Sequence, residues 1–108
     1  MKKSQIGQVG EQIASEYLSK KNYTLVQQNY RTRHGEIDLI FTHPSGHWVF
    51  IEVKHYQPTN WVHPLETITS HKINSFIKTA MLFLSTQKPP HRDSQFDLIS
   101  IQNNRVHH

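Results

Sequence analysis

Apolar positions change their spacing several times along the chain. Between Ser4 and Lys20, residues Ile6, Val9, Ile13, Ala14 and Tyr17 recur at helical spacing and predict an amphipathic first helix with that stripe buried. Glu11 falls about 100° round from the middle of the stripe, near Ala14 and Leu18, at the border of the expected core. Tyr23 to Gln28 reads as a strand, and Asn29 to His34 leads into two further strands at 36–42 and 48–54. Between those two runs, His43-Pro44-Ser45-Gly46-His47 supplies the Pro and Gly of a hairpin turn. Residues 55–68 form the longest irregular stretch, where His55, Tyr56, Trp61 and His63 interleave polar and aromatic groups. Thr69 or Ser70 then caps a second helix running to about Ser85, with Ile73, Phe76, Ile77, Ala80 and Leu84 as its inward face. Lys88-Pro89-Pro90 ends that region, and Phe96-Asp97-Leu98-Ile99-Ser100-Ile101 reads as a last strand in which Asp97 is structural. The order αβββαβ predicts an α/β fold, a mixed central sheet flanked by helices.

Alternation sets the expected register of the central hairpin. Pairing residues whose numbers sum to ninety places Ile37, Leu39 and Phe41 opposite Val53, Ile51 and Val49, which makes one face wholly apolar. The other face carries Glu36, Asp38, Ile40 and Thr42 opposite Lys54, Glu52, Phe50 and Trp48, so its charges gather at the open end. Asp38 and Glu52 are then opposite neighbours with side-chain bases about 5 Å apart. A divalent cation between them relieves their repulsion, and hard oxygen ligands suit Mg²⁺ or Mn²⁺. A lone Glu-x-Lys ordinarily marks a half-exposed strand. Here Asp38 stands at the matching hairpin position among apolar neighbours, and that combination favours a metal-assisted site.

Several segments in their order resemble the YraN family, small bacterial proteins related to Holliday junction resolvases and restriction endonucleases. They are Gly10-Glu11-x-x-Ala14-x-x-Tyr17-Leu18, Asn29-x-Arg31-x-Arg33-x-Gly35-Glu36-Ile37-Asp38-Leu39-Ile40 and Val49-Phe50-Ile51-Glu52-Val53-Lys54. Pro64-x-Glu66-x-Ile68, Lys72 and Phe96-Asp97-Leu98-Ile99 extend the likeness over nearly the whole chain. The resemblance implies a single restriction-endonuclease-like domain over residues 1–108. It assigns Glu11, Asp38, Glu52 and Lys54 to the nuclease pattern of a helix acid, a strand Asp and a Glu-x-Lys, with the Val53 carbonyl as a further metal ligand. Two positions depart from that pattern: Ile37 stands where many relatives of the wider superfamily have Pro, and Tyr56 stands where a basic residue is frequent.

Composition narrows the partners. Twelve Lys and Arg against eight acids give +4, and the pI near 9.5 suits a polyanion. The absence of Cys excludes disulfides and thiol catalysis and fits a reducing cytoplasm. No apolar run approaches the ~20 residues that span a bilayer, and no hydrophobic signal core follows Lys2 and Lys3. The nine His scatter without metal-ligand spacing, so a zinc site is not expected. Val106-His107-His108 reads as a frayed end or an appended remnant.

The expected activity is Mg²⁺- or Mn²⁺-assisted phosphodiester hydrolysis on DNA, branched or otherwise structured, with Arg31, Arg33 and Lys72 contacting phosphate. A homodimer is compatible with the resemblance, since resolvase-like relatives cut two strands. The alternative is a nucleic-acid-binding or assembly module that keeps the fold without cutting. A third alternative makes the charges an internal ion-pair network.

Overall fold

The computed structural model describes residues 3–56, 69–87 and 93–108. Helix α1 (Lys3–Lys20) is followed by strands β1 (Thr24–Thr32), β2 (Gly35–Thr42) and β3 (Trp48–Tyr56), helix α2 (Ser70–Ser85), and strands β4 (Ser94–Gln102) and β5 (Arg105–His107). The expected order αβββαβ is observed, with β5 added at the end. The five strands lie in chain order, β3 and β4 pairing in parallel and every other neighbour antiparallel. That single parallel pair exists because a connection containing α2 returns the chain to the end where β3 began. Trp61, His63, Pro64, Glu66, Ile68 and Lys88-Pro89-Pro90 lie outside the described residues. Among the described residues no helix is long and apolar enough to cross a membrane.

Strand alternation divides the core in two. Leu39, Phe41, Val49, Ile51, Ile99 and Ile101 pack against Ala14 and Leu18 of α1, whereas Ile37, Ile40, Trp48 and Phe50 pack against Ala80 and Phe83 of α2. The central strands are therefore apolar on both faces, as a sheet covered on each side requires. The buried face of α1 is centred on Gly10, Ala14 and Leu18, with Ile13 and Tyr17 beside it, and Val9 of the expected stripe is exposed. A Cβ at Gly10 would lie 2.9 Å from the His55 Cβ, so the missing side chain lets α1 approach β3. On α2 the Thr69 hydroxyl accepts from the Lys72 N–H at 3.1 Å, the N-cap expected from sequence. Its inward face is carried by Thr79, Ala80 and Phe83, and Ile73 of the expected face is exposed.

Two polar turns were not legible as such. β1 and β2 form a tight hairpin around Arg33-His34, held by the His34 N–H donating to the Thr32 hydroxyl at 3.1 Å. Asn103 and Asn104 both adopt positive φ (50° and 61°) and return β4 into β5. The C-terminal residues set aside as a frayed end are thereby paired: Val106 packs on the α1-side core, and His108 Nε2 meets Asp97 Oδ2 at 2.7 Å. Gln95 Nε2 also donates to both Asp97 oxygens, so Asp97 has the structural role expected of it.

Candidate functional site

The central hairpin has the expected register where it is paired. Leu39↔Ile51, Ile40↔Phe50, Phe41↔Val49 and Thr42↔Trp48 are matched, and the described ladder stops there. Beyond its end the Asp38 carboxylate, in place of a strand carbonyl, accepts the Val53 N–H at 2.8 Å. One expectation is corrected here: Ile37 packs with Ile40 on the α2 side, while Leu39 and Phe41 face α1. The period-2 alternation slips at Asp38. Asn29, which falls between the Gln28↔Leu39 and Tyr30↔Ile37 pairs of the β1–β2 ladder, shares the irregularity through a φ of 51°. Asn tolerates that left-handed backbone better than most residues.

The slip brings helix and strand carboxylates together. Asp38 lies near enough to Glu11 of α1 for each carboxyl to affect the other. With its amide nitrogen turned toward the acids, Asn29 donates to Glu11 Oε1 at 2.9 Å and to Glu36 Oε1 at 3.1 Å. Burial, then the charge of Glu52, push the Asp38 carboxyl up to about 7 against the lowering effect of the Val53 N–H; Glu11 and Glu36 raise it further. Burial also raises Glu11, opposed by the Asn29 hydrogen bond. This cluster is acidic and short of compensation at its centre.

Positive charge stands at its rim. Lys54 Nζ lies 3.2 Å from Glu52 Oε1 on the α2 side of β3, and Lys72 in the first turn of α2 reaches Lys54. Contact with the Lys54 ammonium holds Lys72 below its ordinary value. Glu36, which sequence register set beside Lys54, is instead bridged by Arg31 Nε at 3.2 Å. Arg33 is exposed on the β1–β2 turn, where its Nε donates to His34 Nε2 at 3.4 Å. Glu11, Asp38, Glu52, Lys54 and Lys72 thus converge, Arg31 joins them through Glu36, and Arg33 stands apart on the turn. Sequence reasoning missed Asn29 as the donor that joins two acids. The available signal was an Asn, a residue that accepts positive φ, facing the key Asp across a strand pair.

Among the described residues no group of three or more His, Asp or Glu side chains is set to hold a metal ion. The donor chemistry nevertheless fits a hydrated hard cation. Asp38 and Glu52 repel one another, and each carboxylate keeps an oxygen beyond the one engaged by Val53 or Lys54. Mg²⁺ commonly binds through one or two carboxylates and retains several waters. Next to this cluster opens a cleft of about 420 Å³, with Glu52, Lys54 and Lys72 at its polar end and Phe76, Phe96 and Leu98 in its walls.

Residues 10–101 match the model of a family described as Uncharacterised protein family UPF0102. A UPF0102 protein of Persephonella marina is 37% identical over 102 residues, covering 94% of this chain and 87% of that protein. One from Vibrio parahaemolyticus is 38% identical over 102 residues, covering 94% and 84%, and one from Coxiella burnetii is 37% identical over 101 residues, covering 93% and 83%.

Proposed function

This chain belongs to the UPF0102 family, and we propose that it hydrolyses phosphodiester bonds in DNA with the aid of a divalent cation. The observation that carries this proposal is the meeting of Asp38, Glu52 and Lys54 where the described β2–β3 ladder ends, with the Asp38 carboxyl raised to about 7 by burial and the charge of Glu52. Glu52 is balanced by Lys54, while the buried Asp38 carboxyl beside it is met by a backbone N–H, so a bound cation would offset the repulsion between the two acids. Asp38, Glu52 and the Val53 carbonyl would hold Mg²⁺ or Mn²⁺. When bound, such an ion polarises a phosphoryl oxygen and makes water a better nucleophile.

The remaining work falls to side chains. Lys54, kept in place by Glu52, offers an ammonium to the charge that builds on phosphate as the bond breaks. The Val53 N–H fixes the orientation of the Asp38 carboxyl, while Glu11 adds a third acid beside it and Asn29 ties Glu11 to Glu36. Arg31 and Lys72 supply phosphate contacts around the acids, and Arg33 supplies a more distant one from the β1–β2 turn. Their contribution is to position the strand.

Cleavage of duplex, flap, junction and single-stranded DNA in Mg²⁺, Mn²⁺ or EDTA tests this proposal. Wild type is expected to cut at least one substrate in a metal-dependent way, with Asp38→Asn and Lys54→Ala each lowering the rate by a factor of about 100 or more. Equal cutting by wild type and both variants would remove these residues from the site. Salt-sensitive binding without cutting, unchanged by Asp38→Ala, would leave a nucleic-acid-binding module in place of an enzyme.

A further inference from the structure

The cleft beside Glu52 and Lys54 has a composition that phosphate chemistry alone does not require. Helix α2 packs on Ile37, Ile40, Trp48 and Phe50, while on the same side of the sheet β4 presents Phe96 and Leu98 to the cleft. Parallel register sets Leu98 beside Glu52 and Phe96 beside Phe50, so Phe96 lies two residues, ~7 Å, along the strand from the level of Glu52. The Phe96 ring is braced by Phe50 at 5.7 Å and by Phe76 at 5.5 Å between centroids, yet the residue remains 49% exposed. Ile73, 47% exposed, stands on the α2 wall. At the polar end Lys54 and Lys72 are neighbours; Glu52 lies 3.2 Å from Lys54 Nζ and Glu36 is bridged by Arg31, so two ammonium groups share the Glu52 carboxylate and a further anion stabilises the pair.

An immobilised aromatic with solvent access, an apolar wall and paired cations at one end match a nucleobase with its phosphate. The volume of about 420 Å³ lies within the range of small-ligand sites. A base within an intact duplex is stacked on both sides and cannot enter. We propose that this cleft receives an unpaired nucleobase against Phe96, with the phosphate of that nucleotide on Lys54 and Lys72, so that the substrate is DNA with unstacked nucleotides near the cut. This proposal rests on the hydrolytic reading only for the statement that a cut occurs.

Binding measured in EDTA separates the two. Fluorescence anisotropy compares a short single-stranded oligonucleotide with the same strand bearing abasic residues at its centre. Wild type is expected to bind the base-bearing strand at least about fivefold more tightly, the lower end of an aromatic stacking contribution. Phe96→Ala is expected to abolish that difference, and Phe96→Trp to keep it. Lys72→Gln weakens both strands alike and lowers the salt dependence by about one counterion. A wild type indifferent to the abasic residues, or a Phe96→Ala protein that still prefers bases, overturns the proposal. Loss of a wild-type dimer in Phe96→Ala by sedimentation, with base preference retained, would make this face a subunit interface and also overturn it. Base preference without Mg²⁺-dependent cutting sinks the hydrolytic reading and leaves the cleft assignment standing; cutting without base preference does the reverse.

Discussion

Replacing Asp38 by Asn is expected to stabilise the protein, increasingly so as pH rises above the value at which the carboxyl ionises in the unfolded chain. The folded structure raises this group from 3.8 to about 7, mainly by burial and by repulsion from Glu52. At 1.36 kcal/mol per decade, that displacement corresponds to about 4 kcal/mol. The folded chain holds the proton up to about pH 7, whereas the unfolded chain releases it near 3.8. Between those values the native state binds more protons, so wild-type stability falls as pH rises. The contribution is whole below 3.8 and lost above about 7. Asp38→Asn keeps an oxygen to accept the Val53 N–H and carries no charge at any pH. Its advantage over wild type is therefore near zero at pH 4 and grows to about 4 kcal/mol by pH 8, roughly 15 °C in midpoint for a domain of this size. Denaturant titrations followed by circular dichroism across that range measure it. A difference independent of pH, or an Asp38→Asn protein less stable at pH 8, would refute the assignment of Asp38 as a strained carboxyl. Mg²⁺ supplies a second arm. If the acids hold the ion, Mg²⁺ at about 100 times its dissociation constant raises wild-type stability by about 2.7 kcal/mol at pH 8, and the variant gains much less.

Glu52→Gln removes the charge but not the burial, so the Asp38 carboxyl should titrate at lower pH while staying above 3.8; carboxyl NMR shifts that do not move would rule out Glu52 as a cause. Gly10→Ala gains up to about 1 kcal/mol of helix propensity but sets a Cβ 2.9 Å from that of His55. Overpacking of about 1–3 kcal/mol should win, and a more stable protein in urea would show that α1 can shift freely. Thr69→Ala should cost about 1 kcal/mol through loss of the α2 cap and Thr69→Asp should recover most of it. Equal thermal midpoints for Thr69→Ala and wild type would show that the cap contributes nothing.

Both helices, the central strands and the pairing of Leu39 with Ile51 were legible because apolar spacing and turn residues are local signals, and the observed register follows from them. The acid-bearing positions were legible too, since Asp38, Glu52 and Lys54 interrupt strand patterns that otherwise bury apolar groups. Less was readable wherever a contact decided the outcome. Val9 and Ile73 fit helical stripes as well as any neighbour, yet the depth of each depends on how the helix is rotated against the sheet, and both are exposed. Val106 gave too short an apolar signal to announce a strand, and its burial depends on the Asn103-Asn104 turn bringing it beside β4.

Sequence by itself determined that a carboxylate pair and a lysine sit on adjoining strands, because apolar runs and turn residues mark the strands without any knowledge of the fold. Tertiary structure decided what surrounds them. The slip at Asn29 and Asp38, the approach of α1 over Gly10 and the return of α2 with Lys72 joined residues from five separate elements, and burial in that setting raised the Asp38 carboxyl. Desolvation and charge repulsion depend on distance in space, and separation along the chain leaves that distance undetermined.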